Sequence, residues 1–184
     1  MTYFDTLARS YVDVDTSKGV DTEQFLEATE GLVKLFDLLG SAAFSVVQND
    51  MNGNIKKIRE RYLSNPTANN TLEELMKNES PEKKRVATEG LLWLTSLDNP
   101  TEELNASFTK SYEQTLRKHH SIVIRPVFGL AMKACPYRKD FYEKIGVLDE
   151  DGLAQMRAWL EALENIISII QNVFKANPAY IKGM

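Results

Sequence analysis

Cysteine and histidine are both scarce in this chain. Among its 184 residues there is one cysteine, Cys135, and there are two histidines, the adjacent His119 and His120. A single thiol can form neither an internal disulfide nor a cysteine-only metal cluster, and this usage favours a reducing compartment, so we expect the protein in the cytosol. Adjacent side chains on a helix point about 100° apart. With no third ligand spaced nearby, the sequence predicts no bound metal and no cofactor.

Long apolar runs are also missing. None approaches the roughly 20 residues that a membrane-spanning helix requires. The stretch from Met1 to Val20 has no apolar centre of the signal-peptide kind, and Thr2 stands where myristoylation would need a glycine. A net charge of −4 gives no general attraction to phosphate backbones, so we expect no nucleic-acid partner. Any contact with a membrane should therefore be peripheral.

No catalytic constellation can be identified either. Cys135 precedes Pro136 with no base at a recognisable spacing, and no Ser-His-Asp arrangement is present. A buried, inert thiol is the preferred interpretation of Cys135. We expect no enzymatic activity.

What the chain has in abundance is apolar residues at helical spacing. Its 43% hydrophobic and 26% charged residues are typical of a globular protein, and no segment alternates with period two. The length suits one domain, 1–184, and we expect a monomer. The predicted helices are 22–39 capped by Asp21, 45–63 ended at Asn65-Pro66, 70–78, one opened by Pro81 and running past Leu94, 101–116, an apolar stretch over 122–130 broken at Cys135-Pro136, and 149–174.

A polar stripe on the second predicted helix is the first candidate site. Asp50, Asn54 and Lys57 are spaced i, i+4 and i+7, so they lie on one side of the helix, at the border of its apolar face. A carboxylate, an amide and an ammonium together suit a ligand with several hydroxyls, such as a sugar. Taken alone, a stripe of this kind is more often a solvated helix face.

Trp93 and His120 are the other candidates. Trp93 lies within LLWL and by default is a core aromatic, but a partly exposed indole can carry the apolar face of a sugar ring. His120 follows Arg117-Lys118-His119, where a histidine often complements a helix C-terminus. Neither residue indicates a binding site without further support.

That support comes from a family resemblance carried by several spaced blocks. The segment Asp50–Lys57, DMNGNIKK, resembles the head-group motif of glycolipid transfer proteins, in particular the fungal heterokaryon-incompatibility type. Other blocks follow in the family's order: FLEA at 25–28, FDLLGS at 36–41, LLWL at 91–94, the stretch from Ser111 to His120, and ACPYRKDF at 134–141. The resemblance spans about residues 22–180, which it implies to be the core of the domain. It also implies an all-α fold, a two-layer helical sandwich whose apolar interior opens to take two hydrocarbon chains.

The resemblance also implies a role for each candidate residue. Asp50 and Asn54 would hydrogen-bond the first sugar, Lys57 would donate to sugar oxygens, and Trp93 would stack beneath the ring. His120 would bind the ceramide amide carbonyl, and Tyr180 matches a C-terminal tyrosine that closes over the site. The implied function is binding of a glycosphingolipid and its transfer between membranes, or its sensing.

Two further positions bear on the ligand and on the membrane. Relatives that carry ceramide-1-phosphate have arginine in place of Trp93 and a second arginine one turn later, where this chain has Leu97, so the resemblance favours a neutral glycosylceramide. Ile122 occupies the place of a membrane-seeking tryptophan in animal members, which implies weaker or differently anchored contact with the membrane interface. A basic rim could assist that docking; its members are Lys118, Arg125, Lys133, Arg138 and Lys139.

The chain departs from the family after Trp93. The family helix continues for about three more turns, roughly 11 residues, whereas only Thr95–Pro100 precedes Thr101 here. We therefore expect a shortened central helix and an altered pocket for the lipid tails. Two alternatives stay open: a helical interaction or signalling protein that kept the fold without transport, and a ceramide-1-phosphate carrier.

Overall fold

The computed structural model describes residues 1–39, 44–95 and 124–183, together with Glu113. Within these ranges the regular structure is helical, and pairing of the β type is limited to two isolated bridges, Ser17–Gly19 and Asp21–Thr71. The helices are numbered here in chain order: α1 (Thr22–Leu35), α2 (Phe44–Ser64), α3 (Leu72–Glu79), α4 (Val86–Leu94), α5 (Ile124–Lys133), α6 (Arg138–Lys144) and α7 (Glu150–Ala176). Short 3₁₀ turns cover Tyr3–Thr6, Tyr11–Asp13, Phe36–Leu39 and Pro178–Ile181.

Side-chain caps fix the starts of three helices. The carboxylate of Asp21 accepts from the Gln24 amide at 2.9 Å at the start of α1. Thr71 Oγ1 accepts from the Glu74 amide at 3.3 Å before α3, and Asp149 Oδ1 accepts from the Gly152 amide at 2.8 Å before α7. Each cap satisfies an amide that has no partner inside the helix. The predicted cap at Asp21 is confirmed, as are the predicted helices that correspond to α2 and α7.

Two helix predictions need correction. The first predicted helix ends at Leu35, because Phe36–Leu39 tightens into a 3₁₀ turn. Pro81 does not open the fourth helix: it lies in the turn after α3, and α4 begins at Val86. The physical reason is a carboxylate from α3, since Glu79 accepts from the amides of Ala87 and Thr88 and so fixes the helix start there. The predicted helix 101–116 lies outside the described residues, apart from Glu113, which is helical.

The core is built around α2, which packs against both α1 and α4. Ile58 of α2, Leu26 of α1 and Leu91 of α4 are fully buried, as is Ile170 of α7. Their burial removes apolar surface from water and sets the rotation of each helix about its own axis. In the part of the chain that the structure describes, no helix is both long enough and apolar enough to cross a membrane.

The segment before α1 also contributes to the core, which sequence patterns had not indicated. The rings of Phe4 and Tyr11 lie 5.5 and 5.1 Å from the Trp159 ring of α7, measured between centroids. The amide of Tyr3 donates to the carbonyl of Ile145 at 2.7 Å. The N-terminal segment therefore packs against the C-terminal third of the chain.

Candidate functional site

The polar stripe lies on α2, as predicted, and its members differ in exposure. Asn54 is 4% exposed, Lys57 is half-buried and Asp50 is exposed. The ammonium of Lys57 donates to Asn54 Oδ1 at 3.2 Å, which holds the amide with its oxygen toward the lysine. The stripe thus passes from water at Asp50 to the core at Asn54, and it offers both acceptors and donors.

The neighbours of the stripe explain its orientation. Ile55 and Ile58, which follow Asn54 on α2, are 4% and 0% exposed and anchor the helix in the core. Each successive residue turns the side chain by about 100°, so burying these isoleucines leaves Asp50, Asn54 and Lys57 along the edge of the buried face. The position of the stripe follows from the apolar pattern of α2.

A close approach of α4 brings a second element to the stripe. A Cβ at Gly90 would lie 3.1 Å from the backbone oxygen of Asn54 and 3.5 Å from Ile58 Cγ1. A residue with a side chain would push the two helices apart, so glycine sets their spacing. Trp93 lies one turn after Gly90 on the same side of α4. The helix contact therefore brings the backbone that carries Trp93 alongside the stripe.

Trp93 is half-buried, which fits an aromatic at the edge of a site. Leu92 and Leu94 on either side of it pack against the main core, and Leu91 is fully buried. Thr95 ends the helix, and its carbonyl accepts from Gln171 Nε2 of α7 at 3.1 Å. These contacts hold the end of α4 in place.

Tyr180 lies in the last 3₁₀ turn, Pro178–Ile181, and its half-buried ring packs against the core. The guanidinium of Arg85, the residue before α4, donates to the carbonyls of Ala179 and Lys182 on either side of it. The turn that carries Tyr180 is thereby tied to the start of the helix that carries Trp93.

The remaining candidates are only partly described. His120, Ile122 and Lys118 lie outside the described residues. The other four basic residues are on α5 and α6: Lys133 and Lys139 are exposed, and Arg125 and Arg138 are half-buried. Two apolar side chains on the same stretch of chain are strongly exposed, Leu130 at 61% and Tyr137 at 77%.

Metal and thiol chemistry find no support in the described ranges. Across 1–39, 44–95 and 124–183 no group of three or more His, Cys, Asp or Glu side chains is arranged to hold a metal ion. Burial raises the pKa of the Cys135 thiol to about 11, which keeps it protonated at neutral pH. What the α2–α4 arrangement can do is accept and donate hydrogen bonds beside an aromatic face.

Comparison with known proteins identifies the class. The family model for the glycolipid transfer protein (GLTP) matches residues 20–147. The chain therefore belongs to the glycolipid transfer protein family, as its sequence blocks indicated. A glycolipid transfer protein of Aureobasidium melanogenum is 47% identical over 97% of this chain and 95% of its own length. Pleckstrin homology domain-containing family A member 8 of Homo sapiens is 29% identical over 96% of this chain, but the match covers only 39% of that protein.

Solved structures of related proteins confirm the predicted all-α fold. The crystal structure of HET-C2, a fungal glycolipid transfer protein, superposes with a TM-score of 0.87 at 42% identity over 97% of this chain and 99% of that one. FAPP2, which selects simple glycosphingolipids using the GLTP fold, gives a TM-score of 0.78 at 28% identity over 97% of each chain. Mouse ceramide-1-phosphate transfer protein gives 0.78 at 20% identity, which bears on the fold alone.

Proposed function

We propose that this protein binds a neutral glycosphingolipid by its head group and carries it between membranes. The observation that carries the proposal is the contact of Gly90 with Asn54, which joins the polar stripe of α2 to the helix of Trp93. Membership of the glycolipid transfer protein family and the 47% identity to a fungal member support the same conclusion. Burying the lipid tails is worth roughly 0.8 kcal/mol per CH₂ group, so the tails supply affinity and the head group supplies selectivity.

In this proposal each site residue has one task. The carboxylate of Asp50 accepts sugar hydroxyls, the Asn54 amide both accepts and donates, and Lys57 donates to sugar oxygens. Trp93 stacks under the ring. His120 binds the ceramide amide, and Tyr180 closes over the site from the turn that Arg85 holds.

The charges on the stripe favour a neutral sugar over a phosphate. Asp50 and Lys57 carry opposite charges, so the stripe has no net positive charge with which to bind a phosphate dianion. A phosphate is usually held by guanidinium groups, and an indole stands at position 93. The Asp50 carboxylate would repel a phosphate but accepts two hydroxyl bonds from a sugar. This is the reason for preferring a glycosylceramide to ceramide-1-phosphate.

The exchange of lipid with a membrane is assigned to the surface of α5 and α6. Exposed Leu130 and Tyr137 can enter the interfacial region while Lys133 and Lys139 contact anionic head groups. Ile122 belongs to the same proposed docking region. The proposal treats the protein as a cytosolic monomer that moves its lipid without changing it chemically.

Transfer of a fluorescent glucosylceramide between phosphatidylcholine vesicles tests the proposal. The wild-type protein should accelerate transfer, and Asp50→Val should abolish the acceleration with the circular dichroism spectrum unchanged. Glu60→Val is the matched control, because Glu60 is another exposed acid on α2 whose only described ion pair is a long one, 3.8 Å to Lys56. Its transfer rate should stay within about twofold of wild type.

The alternatives give different results in the same assay. Transfer of ceramide-1-phosphate without glucosylceramide would overturn the head-group assignment. Transfer of neither lipid would favour an interaction or signalling protein that kept the fold. Equal transfer by Asp50→Val and wild type would remove Asp50 from the site.

A further inference from the structure

The start of α4 lacks a cap of its own. Arg85 occupies the N-cap position and makes no side-chain capping bond. Lys83 and Lys84 directly precede it. Three cations at the N-terminus oppose the helix dipole, whose positive end lies there. A helix of nine residues is also too short to be stable without outside contacts. The amides of its first turn must therefore find an acceptor outside α4.

That group is Glu79, the last residue of α3. Its carboxylate is buried, with the residue 3% exposed, and it accepts three hydrogen bonds. Oε1 accepts from the Ala87 amide at 3.0 Å, and Oε2 accepts from the Thr88 amide and the Thr88 hydroxyl, both at 2.7 Å. A carboxylate is costly to bury unless hydrogen bonds replace its water, and here all three donors belong to the first turn of α4.

The position of α4 along α2 depends on this bond set. In the middle of α4, Gly90 packs against the backbone of Asn54. At the C-terminal end of the helix, Gln171 Nε2 donates to the Thr95 carbonyl. Apolar packing between α2 and α4 is not directional, whereas the hydrogen bonds of Glu79 fix particular atoms in the first turn of α4. Together with the Arg85 and Gln171 bonds, the cap at Glu79 therefore helps to fix the axial position of α4, and with it the height of Trp93 against the stripe.

We propose that Glu79 is a positioning residue for the glycolipid head-group site: by capping α4 from α3, it holds Trp93 beside Asn54. This inference rests on the proposed function. Glu79 itself touches no ligand and acts through the helix that it caps. Its loss is expected to change the environment of Trp93 and to weaken head-group binding in molecules that are still folded.

The test uses Glu79→Gln in the full chain. The amide has the size of the carboxylate but replaces one acceptor by an NH₂ group, which would face a helix amide donor to donor. The matched control is Glu74→Gln on the same helix, where the acid is exposed and bonds Lys77. Thr88→Val is a milder second variant, since it removes one donor to the carboxylate and keeps both amides.

The first readout is the indole N–H signal in a proton–nitrogen NMR spectrum. The chain has two tryptophans, so two indole peaks are expected, and Trp93→Phe assigns them. Glu79→Gln should shift or broaden the Trp93 peak and leave the Trp159 peak, on α7, in place. Glu74→Gln should leave both peaks unchanged.

The second readout is the Kd for glucosylceramide in phosphatidylcholine vesicles, measured well below the melting temperature of each variant. We expect about tenfold weaker binding for Glu79→Gln, which sets two donors against each other, about threefold for Thr88→Val, which loses one hydrogen bond, and no change for Glu74→Gln. Should Glu79→Gln fail to fold, Thr88→Val decides the inference by the same two measurements.

The possible failures are distinguishable. Variants that melt earlier but keep the wild-type Kd and Trp93 peak would show that Glu79 only stabilises the fold, which overturns the inference and leaves the proposed function intact. A wild-type protein that binds no glucosylceramide would overturn the proposed function and the inference with it.

Discussion

Tyr11 is a polar residue placed entirely inside the core. Its hydroxyl donates to Thr29 Oγ1 at 3.0 Å, and Thr29 in turn donates to the Phe25 carbonyl at 2.7 Å. Burial raises the pKa of the Tyr11 hydroxyl well above its usual value, and the hydrogen bond to Thr29 offsets only part of that rise. The folded protein therefore keeps this proton at a pH where an unfolded tyrosine loses it.

We predict from Tyr11 that the free energy of unfolding falls as the pH rises above about 10, the pKa of tyrosine in an unfolded chain. Above this pH the unfolded state binds fewer protons than the folded state, so raising the pH favours unfolding. Urea unfolding between about pH 8 and 11 measures the effect. In Tyr11→Phe the free energy of unfolding should fall less steeply with pH than in wild type.

Tyr137→Phe is the control for this experiment, because Tyr137 is 77% exposed, and its profile should follow that of wild type. Burial also raises the pKa of Cys135, but that thiol is present in all three proteins and cancels in the comparison. An equal slope for Tyr11→Phe and wild type would contradict the prediction.

The contrast between Asn54 and Glu79 shows which residues sequence could identify. Asn54 belongs to a compact motif on one predicted helix, so its spacing and its resemblance to a family both indicated a site. Glu79 is an acid among other acids and lysines, and its role depends on Ala87 and Thr88 approaching across a turn. A residue that acts across a turn of uncertain length leaves no periodic signal.

At the scale of helices, the spacing between α2 and α4 depends on Gly90. Gly53 offers a matched comparison, since it also lies in a helix but a Cβ there would meet no atom within 4 Å. Both glycines lower the intrinsic helix propensity by about 1 kcal/mol relative to alanine. Only at Gly90 would the added methyl group press on a backbone carbonyl.

We therefore predict different outcomes for the same substitution at these two glycines. Gly53→Ala should raise the free energy of unfolding by up to about 1 kcal/mol, because nothing opposes the gain in helix propensity. Gly90→Ala should be less stable than Gly53→Ala by about 1 kcal/mol or more, because the two helices must separate. Urea denaturation measures both, and equal stability of the two variants would show that α2 and α4 can separate without cost.

Helix ends were predicted best where the capping residue directly precedes the helix. Asp21 and Asp149 stand immediately before α1 and α7, so both starts were visible in the sequence. The sequence alone predicts that α4 starts at Pro81, because a proline often opens a helix. The cap instead comes from Glu79 of α3. Neighbouring residues in the sequence therefore predict the starts of α1 and α7, whereas the start of α4 depends on a contact with another helix.

On the scale of the whole molecule, the N-terminal segment seals one side of the core. Phe4 packs against Trp159 and is 7% exposed, whereas Val12 in the same segment is 56% exposed. The hydroxyl of Thr2 also donates to Gln155 Oε1 of α7 at 2.5 Å. The segment therefore acts as part of the domain and not as a tail.

We predict that Phe4→Ala lowers the free energy of unfolding by about 3 kcal/mol or more, because it leaves a cavity beside Trp159. Val12→Ala should change it by less than about 0.5 kcal/mol, since that side chain faces water. Thermal and urea unfolding followed by circular dichroism provide the comparison. A small effect of Phe4→Ala would mean that the segment detaches without disturbing the core.

The all-α fold and its family followed from the sequence, whereas the closure by the first 20 residues did not. Helical periodicity and spaced family blocks are repeated along the chain, so each supports the others. Phe4, Tyr11 and Val14 have no such period, because the segment folds into short 3₁₀ turns. Phe4 and Tyr11 pack against Trp159 of α7, which is more than 100 residues away in the chain.

The contact between the N-terminal segment and α7 has a consequence for biosynthesis. A ribosome makes the segment before α1 long before it makes α7, so Phe4 and Tyr11 emerge well ahead of the Trp159 ring that packs on them. Until α7 has left the exit tunnel, the sides of these rings that face Trp159 stay open to solvent and to other nascent chains. Helix α7 completes this side of the core only after it has been translated, so a chaperone that shields residues 1–20 until then should raise the yield of folded protein.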